Sequence, residues 1–388
     1  MYWAALGTRV CVRAVWLGTK ELSRVGFALP LTGRRLSVKA SLHNDLGKPL
    51  KQWEFEVSPF SKVNVKLPCD LSVRPLDPHA FPEADRAFIS VQGVNVNSDI
   101  NLDDFKVQYC AESEELLIHG DDMTSNVTVE LTAPIKSDIY VTATGEGSVS
   151  IQRMESDVCK VQTEKGNCTL ASIRSHCVDV QAAGGNVTGL GTIHGNVTIC
   201  GKEGSEVNLK KIQGSYMIVS TDQGQLKVKS IYAESSQVSS SAGEIQLGHI
   251  HGDAIVETDS GNVNVDTSNG ALNIMTVSGN IDAYVGEKGS ADLVTETGSV
   301  SVRIPASMKA GLHLSGVAVN ISPDVPLQDA QQDTTDRGTT VIGNLNGEST
   351  GGPRLQTSVG EQRITASAGK GTISLRAQSW FETLKLGM

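Results

Sequence analysis

The chain is short of aromatic residues, which make up 4% of its 388 positions. That scarcity fits narrow, stacked layers better than a thick helical core. Long apolar runs are also missing. No stretch approaches the ~18 consecutive apolar residues that a membrane-spanning helix needs, so no transmembrane segment is expected. The seven cysteines, Cys11, Cys69, Cys110, Cys159, Cys168, Cys177 and Cys200, include no CxxC pair. A zinc or dithiol motif therefore has no support, and no metal or other cofactor is expected. Acids are nearly absent from the beginning of the chain: Glu21 is the single one before Asp45.

Against that one acid stand Arg9, Arg13, Lys20, Arg24, Arg34, Arg35 and Lys39. Trp3, Leu6, Val10, Val12, Val15, Trp16 and Leu17 make one apolar face of a helix. An acid-poor, arginine-bearing amphipathic leader over residues 1–41 reads as a mitochondrial transit peptide, with the matrix as the expected address. A secretory signal fits less well, because Arg13 interrupts the apolar region. Removal of the leader leaves 26 basic and 42 acidic residues (33 less 7, and 43 less 1), a body of about −16. Such a body lacks the basic footprint of a nucleic-acid binder.

Glycine is plentiful, 39 residues, near 10% against about 7% in average proteins. It is also periodic. Gly147, Gly166, Gly185, Gly204, Gly224, Gly243, Gly261, Gly279 and Gly298 are separated by 19, 19, 19, 20, 19, 18, 18 and 19 residues. Gly195, Gly214, Gly252, Gly270 and Gly289 form a second column out of phase with the first. Self-similarity at a fixed period marks a repeat architecture. Between the glycines the period is two: Val263 and Val265 follow Gly261, and Ile245 and Leu247 follow Gly243. Alternation of that kind puts one face of a strand inside and the other in water.

The expected fold is all-β, a β-solenoid with about 19 residues per coil. The glycines serve as structural turns, because glycine takes positive φ freely. Coils should stack about 4.8 Å apart. After Gly204 the apolar pair, Val207 and Leu209, comes one residue late, which predicts a bulge near Ser205 and Glu206. Regular coils are expected over about 145–304, within a body spanning 42–375. A β-rich start precedes them, with Pro68, Pro75, Pro78 and Pro82 marking an irregular loop. A polar, mobile loop is expected at about 323–353 and a short C-terminal cap at 376–388.

The run Val127-Thr128-Val129-Glu130-Leu131-Thr132-Ala133-Pro134 is followed by Ile139-Tyr140-Val141. It recurs as Val300-Ser301-Val302-Arg303-Ile304-Pro305 and then Gly311-Leu312-His313-Leu314. Strand, proline, strand and glycine leading into the ladder resemble an adhesin-type domain family of unknown function, over roughly residues 100–375. With the leader included, the chain is similar to the uncharacterised family with sequence similarity 185. The resemblance implies a β-solenoid-like fold and a binding role. The family supplies no catalytic residues to carry over.

No nucleophile–base pairing stands out, so no catalytic residue is assigned. Cys159 and Cys168 fall on inward positions and read as small buried hydrophobes. His176, His194, His249 and His251 lie near one corner of the coils and read as exposed turn residues. Lys202, Lys210, Lys211, Lys227 and Lys229 form a small basic area. Sequon triplets such as those at Asn167 and Asn186 arise from the alternation itself. Asn262, Asn264, Asp266, Asn280 and Asp282 make a polar surface on two adjacent coils. They are the candidate contact residues for an unidentified protein partner. The expected function is a non-enzymatic mitochondrial scaffold. The alternatives are a carbohydrate-active β-helix enzyme, which would need clustered carboxylates, and a secreted or surface adhesive module.

Overall fold

The computed structural model describes residues 49–93, 102, 104–121, 127–336, 338–346 and 362–378. The leader and most of the expected C-terminal cap lie outside these residues. The described elements are 24 strands. Among the described residues no helix is long and apolar enough to cross a membrane.

The N-terminal block holds β1 (Lys51–Glu56), β2 (Lys62–Leu67), β3 (Asp70–Pro75), β4 (Arg86–Gly93), β5 (Lys106–Cys110), β6 (Glu115–His119) and β7 (Val127–Ala133). β3 occupies part of the stretch expected as an irregular loop. Its Leu71 and Val73 alternate inward. Pro75 is tolerated because it ends the strand, where its missing N–H disturbs the ladder least.

The regular coils follow: β8 (Asp138–Ala143), β9 (Val149–Gln152), β10 (Glu155–Thr163), β11 (Cys168–Ala182), β12 (Val187–Gly201), β13 (Val207–Thr221), β14 (Leu226–Ala242), β15 (Ile245–Ser260), β16 (Val263–Asn269), β17 (Ala271–Ser278), β18 (Ile281–Val285), β19 (Ser290–Thr297) and β20 (Val300–Ile304). The long strands β11 to β15 bend and serve two faces of the stack. On the first face Cys168, Val187, Val207, Leu226, Ile245, Val263, Ile281 and Val300 pair in parallel succession. All are buried. On the second face Val161, Val180, Ile199, Val219, Val238, Val256, Ile274 and Leu293 do the same. A short segment between the faces turns Ile173, Ile193, Ile212, Ile231 and Ile250 inward. The protein is thus an all-β solenoid whose core is a bundle of side-chain rows.

The column glycines are needed for a different reason from the expected one. Among the nine of the first column, positive φ occurs at Gly204, Gly261 and Gly298. Gly279 has no such φ, yet a Cβ there would overlap the carbonyl oxygen of Gly261. The missing side chain makes room for the backbone of the preceding coil. Gly204 is the exception, because a Cβ on it would meet open space. There the extra residue is accommodated: Ser205 N–H donates to Lys202 O at 2.9 Å. The carbonyl of Ser205, not Gly204, then lies under Gly224. The bulge expected near Ser205 is therefore a corner turn with one residue to spare.

Chain order breaks at both ends of the stack. β2 pairs with β6 on one side and β8 on the other, and β3 likewise with β7 and β9. An early coil is thereby inserted between two later ones. At the other end lie β21 (Ala310–Ile321), β22 (Leu327–Thr335), β23 (Gly338–Leu345) and β24 (Arg363–Ala377). β24 runs between β19–β20 and β21, parallel to all three. Gly371 continues the glycine column, since a Cβ on it would overlap Gly298 O.

The region expected as a mobile loop contains the antiparallel hairpin β22–β23, which pairs onto β21. β23 alternates Thr339, Val341, Gly343 and Leu345 inward. β22 is almost wholly polar, which suits an outer strand that must not recruit further strands.

Candidate functional site

The polar surface singled out from the sequence lies on the first face, on β16, β18 and the corners before them. Residues that follow the column glycines build a ladder of their own. Asn167 Oδ1 accepts the N–H of Asn186 at 3.0 Å, and Asn186 Oδ1 accepts that of Glu206 at 3.0 Å. Asn262 Oδ1 accepts Asn280 N–H at 3.0 Å, and Asn280 Oδ1 accepts Ser299 N–H at 2.9 Å. Each amide satisfies a corner donor that has no ladder partner. Asn262 and Asn280 are exposed, but their carbonyl oxygens are engaged in joining coils.

Asn264 and Asp282 are paired neighbours in adjacent coils. Asp282 Oδ1 accepts Arg303 Nε at 2.8 Å, and Arg303 Nη2 donates to Val265 O at 3.1 Å. The register shift after Val265 coincides with that carbonyl being reached by a side chain. The Arg303 side chain is 5% exposed and that of Asp282 43%. Burial raises the phenol of Tyr284, with Glu287 adding to the effect and Arg303 opposing it. Asn264 Oδ1 is buried and has no hydrogen-bond partner among the described residues. Asp266 is exposed. Of the five candidates, then, Asn262, Asn280 and Asp282 already hold the coils together. Asp266 is left exposed, while Asn264 is half-buried with its carbonyl oxygen covered.

Arg303 is absent from the sequence-derived candidates. The alternation Val300-Ser301-Val302-Arg303 marks it as one more outward residue. Nothing in the local sequence shows that it is buried.

The histidines separate into different settings. His176 Nδ1 meets Asp157 Oδ1 at 2.8 Å on an exposed corner. His251 stacks on Tyr232, ring centroids 4.5 Å apart, and Lys211 Nζ lies 4.6 Å from the Tyr232 ring. The described residues contain no group of three or more His, Cys, Asp or Glu placed to hold a metal. Cys159 and Cys168 are fully buried, as their inward positions require. Burial, with Cys177 nearby, pushes the Cys159 thiol up to about 12. The six cysteines of the described body are free thiols.

Three solved structures match parts of this chain at low identity. A candidate adhesin from Parabacteroides merdae is 15% identical over 67% of this chain and 91% of its own, with a TM-score of 0.30. A candidate adhesin from Parabacteroides distasonis is 12% identical over 84% and 96%, with a TM-score of 0.25. A candidate cell adhesion protein from Clostridium sporogenes is 12% identical over 85% and 100%, with a TM-score of 0.15. Residues 178–348, from the bend of β11 through the hairpin β22–β23, match the family profile Toastrack DUF4097, and over that stretch the chain is similar to this family.

Proposed function

We propose that the protein is a non-enzymatic binding scaffold of the mitochondrial matrix that presents a polar strand face to a protein partner. The observation that carries this reading is the register of the coils. Parallel pairing puts Gln246, Asn264, Asp282 and Ser301 in one outward row, with neighbours about 4.8 Å apart. Repeat proteins commonly bind through such regular faces. Asn264 and Asp266 are the contact residues of this reading. Asn262, Asn280 and Asp282 support them by keeping the coils in step. The address rests on the basic, acid-poor leader. Kinship of the whole chain, leader included, with the family with sequence similarity 185 belongs to the same reading.

Proximity labelling in cells tests it, with the full chain compared against Asp266→Lys. The expected result is a matrix protein labelled by the wild type and lost with the variant at an unchanged melting temperature. A polysaccharide hydrolase or lyase activity that disappears on replacing one carboxylate would overturn the non-enzymatic reading.

A further inference from the structure

The second face carries a different kind of surface. Its outward residues form a grid set by strand register. Ile255, Asn273 and Asp292 make one row, and Glu257, Met275 and Val294 the next. Asp259, Val277 and Glu296 make the third, since the flanking residues pair Thr258 with Thr276 and Thr276 with Thr295. Met275 is 56% exposed, Val277 47% and Ile255 42%. These three stand on neighbouring coils with the half-buried Val294 beside Met275. Large exposed apolar side chains scattered singly are ordinary, whereas a cluster marks a contact surface. Around the cluster stand the carboxylates of Glu257, Asp292, Glu296 and Asp259. Glu257, Asp292 and Glu296 take part in no ion pair among the described residues. Arg363 and Lys370, bases of the adjoining coil, stand just beyond the two ends of its paired stretch Ile364–Ala368.

We infer that this patch docks a cationic amphipathic segment of a partner protein. Three rows two residues apart span about 14 Å along the strands, and three coils about 10 Å across them. That apolar footprint is far below the roughly 800 Å² per partner of a standard interface. It matches about two turns of helix, whose anchors at i and i+3 or i+4 reach adjacent coils. An apolar centre with a charged rim is the usual anatomy of such a contact. The sign of the rim selects the partner. An acidic segment or an anionic membrane would be repelled, whereas lysines or arginines flanking the anchors would meet carboxylates. A second copy of the chain would bury more than this patch offers.

This surface is separate from the polar face of the first reading, so the two stand or fall independently. The test uses the full chain and a fluorescein-labelled 18-residue helical peptide of leucine and lysine, followed by anisotropy. Saturable binding is expected, weakening as salt rises towards about 0.15 M. Met275→Glu should weaken it about tenfold or more, and Glu257→Lys with Glu296→Lys by a similar factor. A leucine–glutamate peptide should not bind. A control reversal on another corner, Asp222→Lys with Glu244→Lys, should leave affinity within about twofold. Equal loss with the control reversal would show general attraction to an acidic protein and overturn the inference. So would unchanged binding in folded Met275→Glu. A wild-type dimer that Met275→Glu converts to monomer would assign the patch to a second copy instead.

Discussion

Arg303 on β20 bonds through Nε to Asp282 on β18 at 2.8 Å, and through Nη2 to Val265 O on β16 at 3.1 Å. One side chain thereby spans three coils. Removing its partner strands a buried guanidinium. Asp282→Ala is therefore expected to lower stability by about 1–3 kcal/mol, read from the urea midpoint at constant slope. Asp266→Ala, one strand step away from that network, should stay within about 0.5 kcal/mol. Equal effects from the two would show that the Arg303 pair contributes nothing.

A column glycine and a glycine outside the column compare crowded with open space, both without positive φ. Gly279→Ala adds a Cβ against Gly261 O and should cost about 1–3 kcal/mol. Gly311→Ala meets nothing within 4 Å and has no positive φ, so it should be close to neutral. Thermal melts of both variants decide the matter. A harmless Gly279→Ala would remove the close-approach explanation.

The corner ladder should matter as a series. Asn280→Ala deletes the acceptor for Ser299 N–H and should cost about 0.5–1.5 kcal/mol. Asn264→Ala deletes an unpartnered carbonyl and should be neutral or slightly stabilising. If Asn264→Ala proves the costlier of the two in parallel urea titrations, the assignment of roles is reversed.

Thiol reactivity should follow placement. Hydrogen bonding from Ser113, first through its side chain, lowers the exposed Cys110 thiol below its ordinary value. A lowered value means more thiolate at neutral pH, and thiolate is the reactive form. Burial raises Cys159 to about 12, and raises Cys168 too. Timed alkylation read by mass spectrometry should modify Cys110 first and those two after unfolding. Early labelling of Cys168 in the native protein would contradict the packing of that row.

The leader makes its own prediction. Full-length protein should be imported into isolated mitochondria and shortened near residues 35–41, while a chain lacking residues 1–40 should stay outside. N-linked glycan on Asn186 in cells would refute the address. Its side-chain oxygen is already engaged with Glu206.

Local patterning and structure agree on the inward rows, where the relevant neighbour is one coil away. The alternation after each glycine identified the inward rows, because stacking repeats one short-range relationship. The late register at Val207 even located the extra residue at Ser205. Local pattern fails where the neighbour is distant. Val300 pairs with Ile373, 73 residues on, and β2 lies between β6 and β8. Neither insertion leaves a periodic trace, because each is a distant piece of chain fitted between existing coils. The polar stretch 327–335 carries no inward alternation, so its strand conformation comes from pairing with β23. Arg303 looks like any outward residue until three coils are stacked. Its burial and its two partners are properties of that stacking. The acid-ringed patch around Met275 likewise exists only across coils. Chain periodicity set the rows, but the order of the coils decided which side chains became neighbours, since only packing brings distant strands within hydrogen-bonding reach.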